Sequence, residues 1–238
     1  MKSILKMVAG IAVAATLALG MFSCSIPAEN NVPPAGPTGP VVGDFILNDG
    51  TVLSKDKTPE SGKVVAVIVR VAANGKPALG VGIVHDKTGR RWCENEAAGM
   101  ASIDSLFGDS TSGYMDGSDG WEKLKSVCSD AQGNPGNYPA WNFCLSYGTK
   151  NGLSGDFAKG WYLPTMAELS TIYKNKSTID ASLAKAGGNQ FGTDTYWSCC
   201  QFDIWPANAR ALSFENQAMI GEDKSSMTHQ VCAVRVFN

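Results

Sequence analysis

Apolar residues along the chain first predict a β-hairpin. The segment from Lys63 to Ala72 is β-branched and almost continuously apolar, residues 73–76 supply Asn and Gly for a turn, and a second apolar run extends from Ala78 to Val84. Two such runs joined by turn residues are typical of paired antiparallel strands. Because both faces of the runs are apolar, we expect this hairpin to lie inside a domain.

Helical periodicity and capping residues follow in the middle of the chain. They predict three helices: one around residues 101–107, one over 120–129 behind an Asp119–Glu122 capping pair, and one from an Asn137 cap through Pro139 to Gly148. In the last two helices the apolar positions repeat at helical spacing, so each is expected to bury one face.

The most specific local signal is Gly-Trp-Tyr-Leu-Pro-Thr-Met-Ala-Glu-Leu at residues 160–169. The leucine before the proline is pushed to extended geometry. Thr165 can then cap a helix, and Glu168 three residues later completes a capping box. Ser177 repeats this capping logic for a helix that reaches about residue 186, where two glycines end it.

The last part of the chain returns to strands but includes a stretch without a period. Residues 195–198, 209–214 and 231–237 are patterned as strands, whereas residues 199–205 fit neither a two-residue nor a 3.6-residue repeat. We therefore expect residues 199–205 to be exposed, irregular chain held between scaffold strands. Such a surface suits recognition better than catalysis.

The N-terminus carries an export signal over residues 1–23. Lys2 and Lys6 form a positive segment, an apolar run rich in Ala and Gly extends to Phe22, and Cys24 follows. The arrangement resembles a bacterial lipoprotein signal, which implies lipidation of Cys24 and tethering of the exported chain to the outer membrane or cell surface. An ordinary cleaved secretory signal is the alternative, and either reading exports the protein.

Composition predicts a spacer and one domain behind this signal. Residues 24–43 are rich in Pro and Gly, which favour an extended linker, and the foldable domain spans residues 44–238. That length can bury a single sizeable core. The formal net charge of the chain is −2, so nothing in the charge balance favours nucleic acid as a partner.

Six cysteines remain when Cys24 is lipidated, at positions 93, 128, 144, 199, 200 and 232. An even number in an oxidising compartment permits disulfides, although about fifteen pairings exist and the sequence does not choose among them. The adjacent Cys199 and Cys200 are poorly placed to bridge each other. Without a C-x-x-C pair and with only His85 and His229, a zinc site has little support, and we expect no metal or cofactor.

Four motifs together resemble one fold family. They are the 160–169 motif, Tyr-Trp-Ser at 196–198, Leu-x-Phe at 212–214 and Val-x-Ala-Val-Arg at 231–235. The combination resembles the C-type-lectin-fold domain of bacterial surface lipoproteins, whose relatives include the formylglycine-generating enzymes. The resemblance covers residues 63–237 and implies a single α+β domain of mixed, mainly antiparallel sheets with flanking helices. Its floor would be built by Tyr196, Trp197, Leu212, Phe214, Val231, Ala233 and Val234.

Within that family the chain is similar to the variable proteins of diversity-generating retroelements, in particular the treponemal type. There an error-prone reverse transcriptase rewrites adenines near the end of the gene, and the lectin scaffold presents the altered residues to ligands. Adenine-adenine-pyrimidine codons cannot become Gln, Glu, Lys, Met or Trp codons while the pyrimidine stays. The resemblance therefore implies a variable region at about 199–230 with a fixed framework of Gln201, Trp205, Glu215, Gln217, Met219, Glu222, Lys224, Met227 and Gln230.

The resemblance also implies a binding surface, in which Trp205 is the tryptophan expected to be most exposed. The expected ligand-binding residues are Phe202, Asp203, Ile204, Trp205, Asn208, Arg210, Ser213, Ser225, Ser226, Thr228 and His229. The partner would be an unidentified ligand, a protein or another surface macromolecule, and the Cys24 lipid would hold the chain at the membrane.

Two other functions stay open. Thirty irregular residues between strands are also found in undiversified domains, so a lectin-fold adhesin with a fixed ligand is the alternative. An enzyme of the formylglycine-generating type is less favoured, because Cys199, Cys200 and Cys232 match no catalytic spacing and only Arg210 and Arg235 lie near them in sequence to activate a thiol. The Glu-Pro-Asn and Gln-Pro-Asp strings of calcium-dependent lectins are absent from the sequence.

Overall fold

Five strands, a mostly helical middle section and five further strands follow one another in this computed structural model, which describes residues 39–75, 77–101, 103, 116–202 and 204–237. The strands are β1 (Phe45–Leu47), β2 (Val52–Leu53), β3 (Val64–Val71), β4 (Pro77–Gly82), β5 (Asp86–Arg90), β6 (Trp161–Tyr162), β7 (Thr195–Gln201), β8 (Asn208–Ser213), β9 (Met219–Asp223), β10 (His229–Val231) and β11 (Val234–Val236). The α-helices are α1 (Gly120–Val127), α2 (Ser129–Gly133), α3 (Pro139–Leu145), α4 (Tyr147–Lys150), α5 (Met166–Lys174) and α6 (Lys176–Lys185).

The first sheet contains six strands in the order β2-β1-β3-β4-β11-β6, all paired antiparallel. Its centre is the predicted hairpin, in which Val67 of β3 pairs with Val81 of β4. Six successive residues of β3 from Val64 are buried, and α5 and α6 pack against this strand. The prediction that the hairpin lies inside the domain is confirmed.

The second sheet contains five strands in the order β5-β10-β7-β8-β9. Its pairs are antiparallel except for β10 and β7, which run parallel with Gln230 opposite Tyr196. Only Cys232 and Ala233 separate β10 in this sheet from β11 in the first one. The described residues lie in one compact unit of two sheets with flanking helices, so the predicted single α+β domain is confirmed.

Strand β7 is longer than predicted and is covered on both sides. The pairing of β7 with β8 shifts between Trp197 and Gln201. Within that shift the Cys199 amide donates to the Pro164 carbonyl at 2.8 Å, and the Met166 amide donates to Cys200 Sγ at 3.4 Å. The prediction of exposed, irregular chain at residues 199–201 is wrong, because a strand buried on both faces shows no alternation of apolar and polar residues.

The remaining helix predictions are confirmed in part. Gly148 lies inside α4 and ends no helix, and Asn137 closes a 3-10 turn while Tyr138 precedes α3. Helix α6 begins behind Asn175, before the predicted cap Ser177. The helix predicted at 101–107 falls mostly outside the described residues. The predicted signal at 1–23 and residues 24–38 of the predicted spacer lie outside them as well.

Aromatic residues fill the space between the sheets and helices. Trp141, Trp161 and Trp197 are buried, and Trp92 meets Trp141 edge to face at 5.3 Å between ring centroids. Trp121 is half-buried against Trp141. The seven expected floor residues are all buried: Tyr196, Trp197, Leu212, Phe214, Val231, Ala233 and Val234.

The predicted capping box at α5 is present and fully buried. Thr165 accepts from the Glu168 amide, and the Thr165 amide donates back to Glu168 Oε2 at 2.9 Å. The Tyr162 hydroxyl donates to Glu168 Oε1 at 2.6 Å. Burial raises the pKa of Glu168 to about 7, because desolvation outweighs these hydrogen bonds to the carboxylate.

Substitution of Glu168 is expected to change how stability depends on pH. A carboxyl whose pKa is 4.5 in the unfolded chain and about 7 in the folded chain binds more protons when the protein is folded. Its stabilising contribution to the free energy of unfolding is therefore full below pH 4.5 and is lost as the pH rises through about 7. The free energy of unfolding, measured by urea denaturation, should fall by roughly 3 kcal/mol more in the wild type than in Glu168→Gln as the pH rises across that interval. Equal pH slopes for the two proteins would contradict the assignment.

Candidate functional site

The β7–β8 loop carries the most exposed apolar side chains of the described chain. Ile204 is 73% exposed and Trp205 is 59% exposed, and Met219 and Met227 add further apolar surface nearby in sequence. We define the loop surface as Phe202, Ile204, Trp205, Asn208 and Arg210. The expected exposure of Trp205 is therefore observed, and large exposed apolar side chains are typical of interaction sites.

The backbone of this loop is closed by short hydrogen bonds. The Phe202 amide donates to the Asn208 carbonyl at 3.0 Å, and the Asn208 amide donates to the Trp205 carbonyl at 2.9 Å. The Lys224 amide donates to the Ala207 carbonyl at 2.9 Å, which continues the β8–β9 ladder into the loop. The exposed side chains therefore project from a backbone of defined shape.

Phe202 is the packing centre of the loop surface. Its ring meets Trp205 edge to face at 5.3 Å between centroids, and the Arg210 guanidinium lies 3.7 Å from its centroid. On the facing strand, a Cβ at Gly221 would approach Phe202 Cδ1 to 2.5 Å. Because Gly221 has no side chain, the Phe202 ring can occupy this space. The Arg210 guanidinium covers the ring in a cation–π contact.

Lys224 holds the loop from beneath and is 0% exposed. Its ammonium donates to the carbonyls of Gly99 and Pro206, each at 2.7 Å, and to Gln201 Oε1 at 3.0 Å. The Trp92 ring lies 4.9 Å away. One side chain therefore joins the end of β7, the exposed loop and the segment after β5.

The charge of Lys224 carries a desolvation cost. Burial lowers its pKa to about 8, and the weaker opposing effects come from Cys93, Cys128 and Asp223. Among the described residues, no carboxylate lies within ion-pair distance of its nitrogen. Oriented carbonyls therefore take the place of a counter-ion.

The turn after β9 holds two more of the expected site residues. Asp223 Oδ1 accepts from the amides and hydroxyls of both Ser225 and Ser226, at 2.8–3.0 Å. Burial raises the pKa of Asp223, but these bonds outweigh it and keep the pKa below its usual value. Ser226 is exposed, whereas Ser225, also expected in the binding surface, is only 8% exposed.

Three other expected residues lie apart from the loop surface. Ser213 ends β8 on the opposite face of the strand from Arg210 and accepts from the Glu215 amide. Thr228 is exposed beside Gly89, and His229 pairs with Arg90 of β5 at the far side of the sheet.

The His229 ring packs on Trp197 at 4.5 Å between centroids, and its Nε2 is buried without a hydrogen-bond partner in the described part of the chain. Burial lowers the pKa of His229 to about 4, so the ring is neutral at neutral pH. Asp203, also expected in the site, lies outside the described residues.

Two contributors to the site lacked a sequence signal. The codon argument placed Lys224 in the framework without showing that it is buried beneath the loop. Gly221 was not singled out, because a single Gly within a short strand has many structural roles.

The cysteines provide neither disulfides nor a metal site in the described chain. All six at positions 93 to 232 are free and buried, and no cluster of described His, Cys, Asp or Glu residues could hold a metal ion. Burial raises the pKa of Cys93 to about 12 and also raises that of Cys199 and Cys232. A hydrogen bond from the Cys199 thiol lowers the pKa of Cys200, which is 1% exposed.

No helix among the described residues is long and apolar enough to cross a bilayer. No protein-family model matches the chain, and no curated protein sequence matches it.

A solved structure shares the fold. The chain is similar to the crystal structure of a fimbrial protein from Bacteroides ovatus, with a TM-score of 0.59 and 16% identity over 83% of this chain. It covers 49% of that chain and so spans about half of its length. At this identity the likeness shows a shared fold alone.

Removal of the Lys224 ammonium is expected to loosen the loop. Lys224→Met leaves buried carbonyls without a donor, so the free energy of unfolding measured in urea should fall by about 2 kcal/mol. Hydrogen exchange of the Phe202 and Asn208 amides in the loop should accelerate. Lys185→Met is the matched control, because that lysine is exposed and bonds a single carbonyl. Equal effects of the two substitutions would rule out the structural role given to Lys224.

A methyl group at Gly221 is expected to displace the Phe202 ring. Gly221→Ala should lower the free energy of unfolding by about 1–3 kcal/mol by overpacking. Gly133→Ala is the control and should cause no overpacking, because a Cβ at Gly133 meets nothing within 4 Å. In a Phe202→Ala background the cost of Gly221→Ala should shrink, which a double-mutant cycle of unfolding free energies measures. Additive effects would show that the two sites do not interact.

Proposed function

We propose that this chain is an exported surface lipoprotein, anchored at Cys24, that presents a retroelement-diversified binding site on a C-type lectin scaffold. The N-terminal signal and the four C-terminal motifs motivate the proposal. Two sheets joined by the final strands, with helices on the flanks, are compatible with the lectin scaffold.

The observation that carries this proposal is that two framework residues are buried beneath a surface that includes positions open to variation. Gln201 and Lys224, whose codons adenine rewriting does not produce, are buried and hydrogen-bonded to each other. Phe202, Ile204 and Asn208, whose codons it does produce, lie at or near the surface. Substitution at exposed positions usually changes stability little, so a scaffold of this kind tolerates diversification.

Recognition would rest on the side chains of the loop surface. Trp205 would act as a constant aromatic anchor beside variable neighbours, and Arg210 would supply a charged donor. Tryptophan, tyrosine and arginine dominate the binding energy of protein interfaces, while Asn and Ser give adaptable hydrogen bonds. We therefore propose a macromolecular ligand and a role in binding. Burial of each described cysteine speaks against a thiol enzyme.

A fixed-ligand adhesin is the second candidate. The packing of the Phe202 ring against Gly221 and beneath Arg210 favours this candidate, because the site is shaped for phenylalanine at position 202. Diversification and a fixed ligand therefore differ in whether position 202 varies between natural copies of the gene.

Sequencing the gene and its flanks in several isolates tests the proposal. Diversification predicts codon differences within 199–229 that spare Gln201, Trp205, Met219 and Lys224, together with a near-identical repeat carrying adenines at the variable positions. The codons for β1 to β6 serve as the internal control. An invariant region, or variation spread evenly over the gene, would leave the fixed-ligand adhesin.

A further inference from the structure

Strand β9 is an edge strand of the second sheet that contains no lysine, proline or bulge. It pairs only with β8 in the described chain, over five residues in unbroken register. The other edges are blunted: β2 and β6 have two residues each, and β5 carries Lys87 and Arg90 with a register shift. Proteins block edges with very short strands, charged side chains, prolines and bulges. Strand β9 has five residues and contains no lysine, proline or bulge, and its charged side chains are Glu222 and Asp223.

The bonds at both ends of the β8–β9 ladder show which main-chain groups of β9 face outward. Ser213 N–H donates to Ala218 at one end, and Lys224 N–H donates to Ala207 at the other. Bonded pairs alternate in an antiparallel ladder, so the main-chain groups of Met219, Gly221 and Asp223 point away from β8. The Gly221 and Asp223 carbonyls have other partners, which leaves three outward N–H groups and one carbonyl among the described residues.

The two faces of this edge differ in chemistry. Gly221 lies on the face that holds the Phe202 ring, next to Arg210 across the ladder. Ile220 and Glu222 lie on the opposite face. An added strand would therefore place one side chain beside the Phe202 ring, and its two neighbours would meet an apolar and an acidic residue.

We propose that β9 binds an extended polypeptide segment as an added antiparallel strand, with a basic side chain opposite Glu222 and apolar side chains opposite Ile220 and Gly221. The segment would be continuous with the loop surface, so the inference rests on the proposed recognition function and names its kind of partner. Main-chain bonds would supply general affinity, and the side chains on the loop surface would supply specificity.

A labelled peptide with the core Thr-Lys-Phe-Val-Leu, acetylated and amidated, is the probe. Read antiparallel to β9, its lysine faces Glu222 and its phenylalanine faces Gly221. Fluorescence anisotropy with the full mature chain should show saturable binding. The peptide's leucine then faces Met219, so N-methylation of the leucine removes the donor that would bond the free Met219 carbonyl and should weaken binding at least about tenfold. N-methylation of the valine, whose N–H faces away, should change it less than about twofold.

A charge exchange provides the second measurement. Glu222→Lys should weaken binding of the lysine peptide and strengthen binding of a peptide with glutamate in place of that lysine. Absence of saturable binding, or equal effects of the two N-methyl groups, would overturn the proposal. Concentration-dependent dimerisation abolished by substitutions in β9 would also overturn it, because the occupant would then be a second copy of the chain.

Phe202→Ala separates this inference from the proposed function. If the N-methyl contrast persists while Phe202→Ala leaves affinity unchanged, the added strand stands and the loop surface fails as the recognition element. If Phe202→Ala weakens binding and the N-methyl contrast is absent, the loop surface stands and the added strand fails.

Discussion

The ammonium of Lys224 is the interaction on which the C-terminal region depends. A buried cation is costly unless oriented acceptors surround it, and here those acceptors come from two stretches of the chain, at Gly99 and at residues 201–206. The Gly99 carbonyl, the Gln201 amide and the Pro206 carbonyl each bond the same nitrogen. Such a network fixes a geometry more than it adds stability, because desolvation offsets much of the electrostatic gain.

This arrangement separates the residues that fix the loop from the side chains that we propose for recognition. The residues that fix the loop, Lys224 and Gln201, are buried beneath it, while Ile204 and Trp205 project above it and contribute little to the core. A rigid backbone reduces the entropy lost when a ligand binds. The loop surface can thus change its side chains while the backbone that carries them stays in place.

The sequence predicted the elements that local rules specify. The β3–β4 hairpin and the Thr165–Glu168 capping box were found because turn residues and caps act over a few positions. It missed β9, where Met219 to Asp223 mixes apolar, Gly and acidic residues, because an edge strand that is half-exposed on both faces has no clear alternation. The burial of Cys199 and Cys200 was also missed. It depends on contacts with the distant segment around Pro164, which only the tertiary structure brings together.

The two-residue link between β10 and β11 has a consequence for how the chain reaches its native state. Strand β11 lies between β4 and β6, and β10 lies between β5 and β7, so each sheet lacks an internal strand until the last residues are available. Contacts between such distant segments carry a large loop-closure cost and slow folding. Productive folding therefore waits for the whole chain, and a truncated product lacking the last dozen or so residues would leave both sheets open at their centres and prone to aggregation.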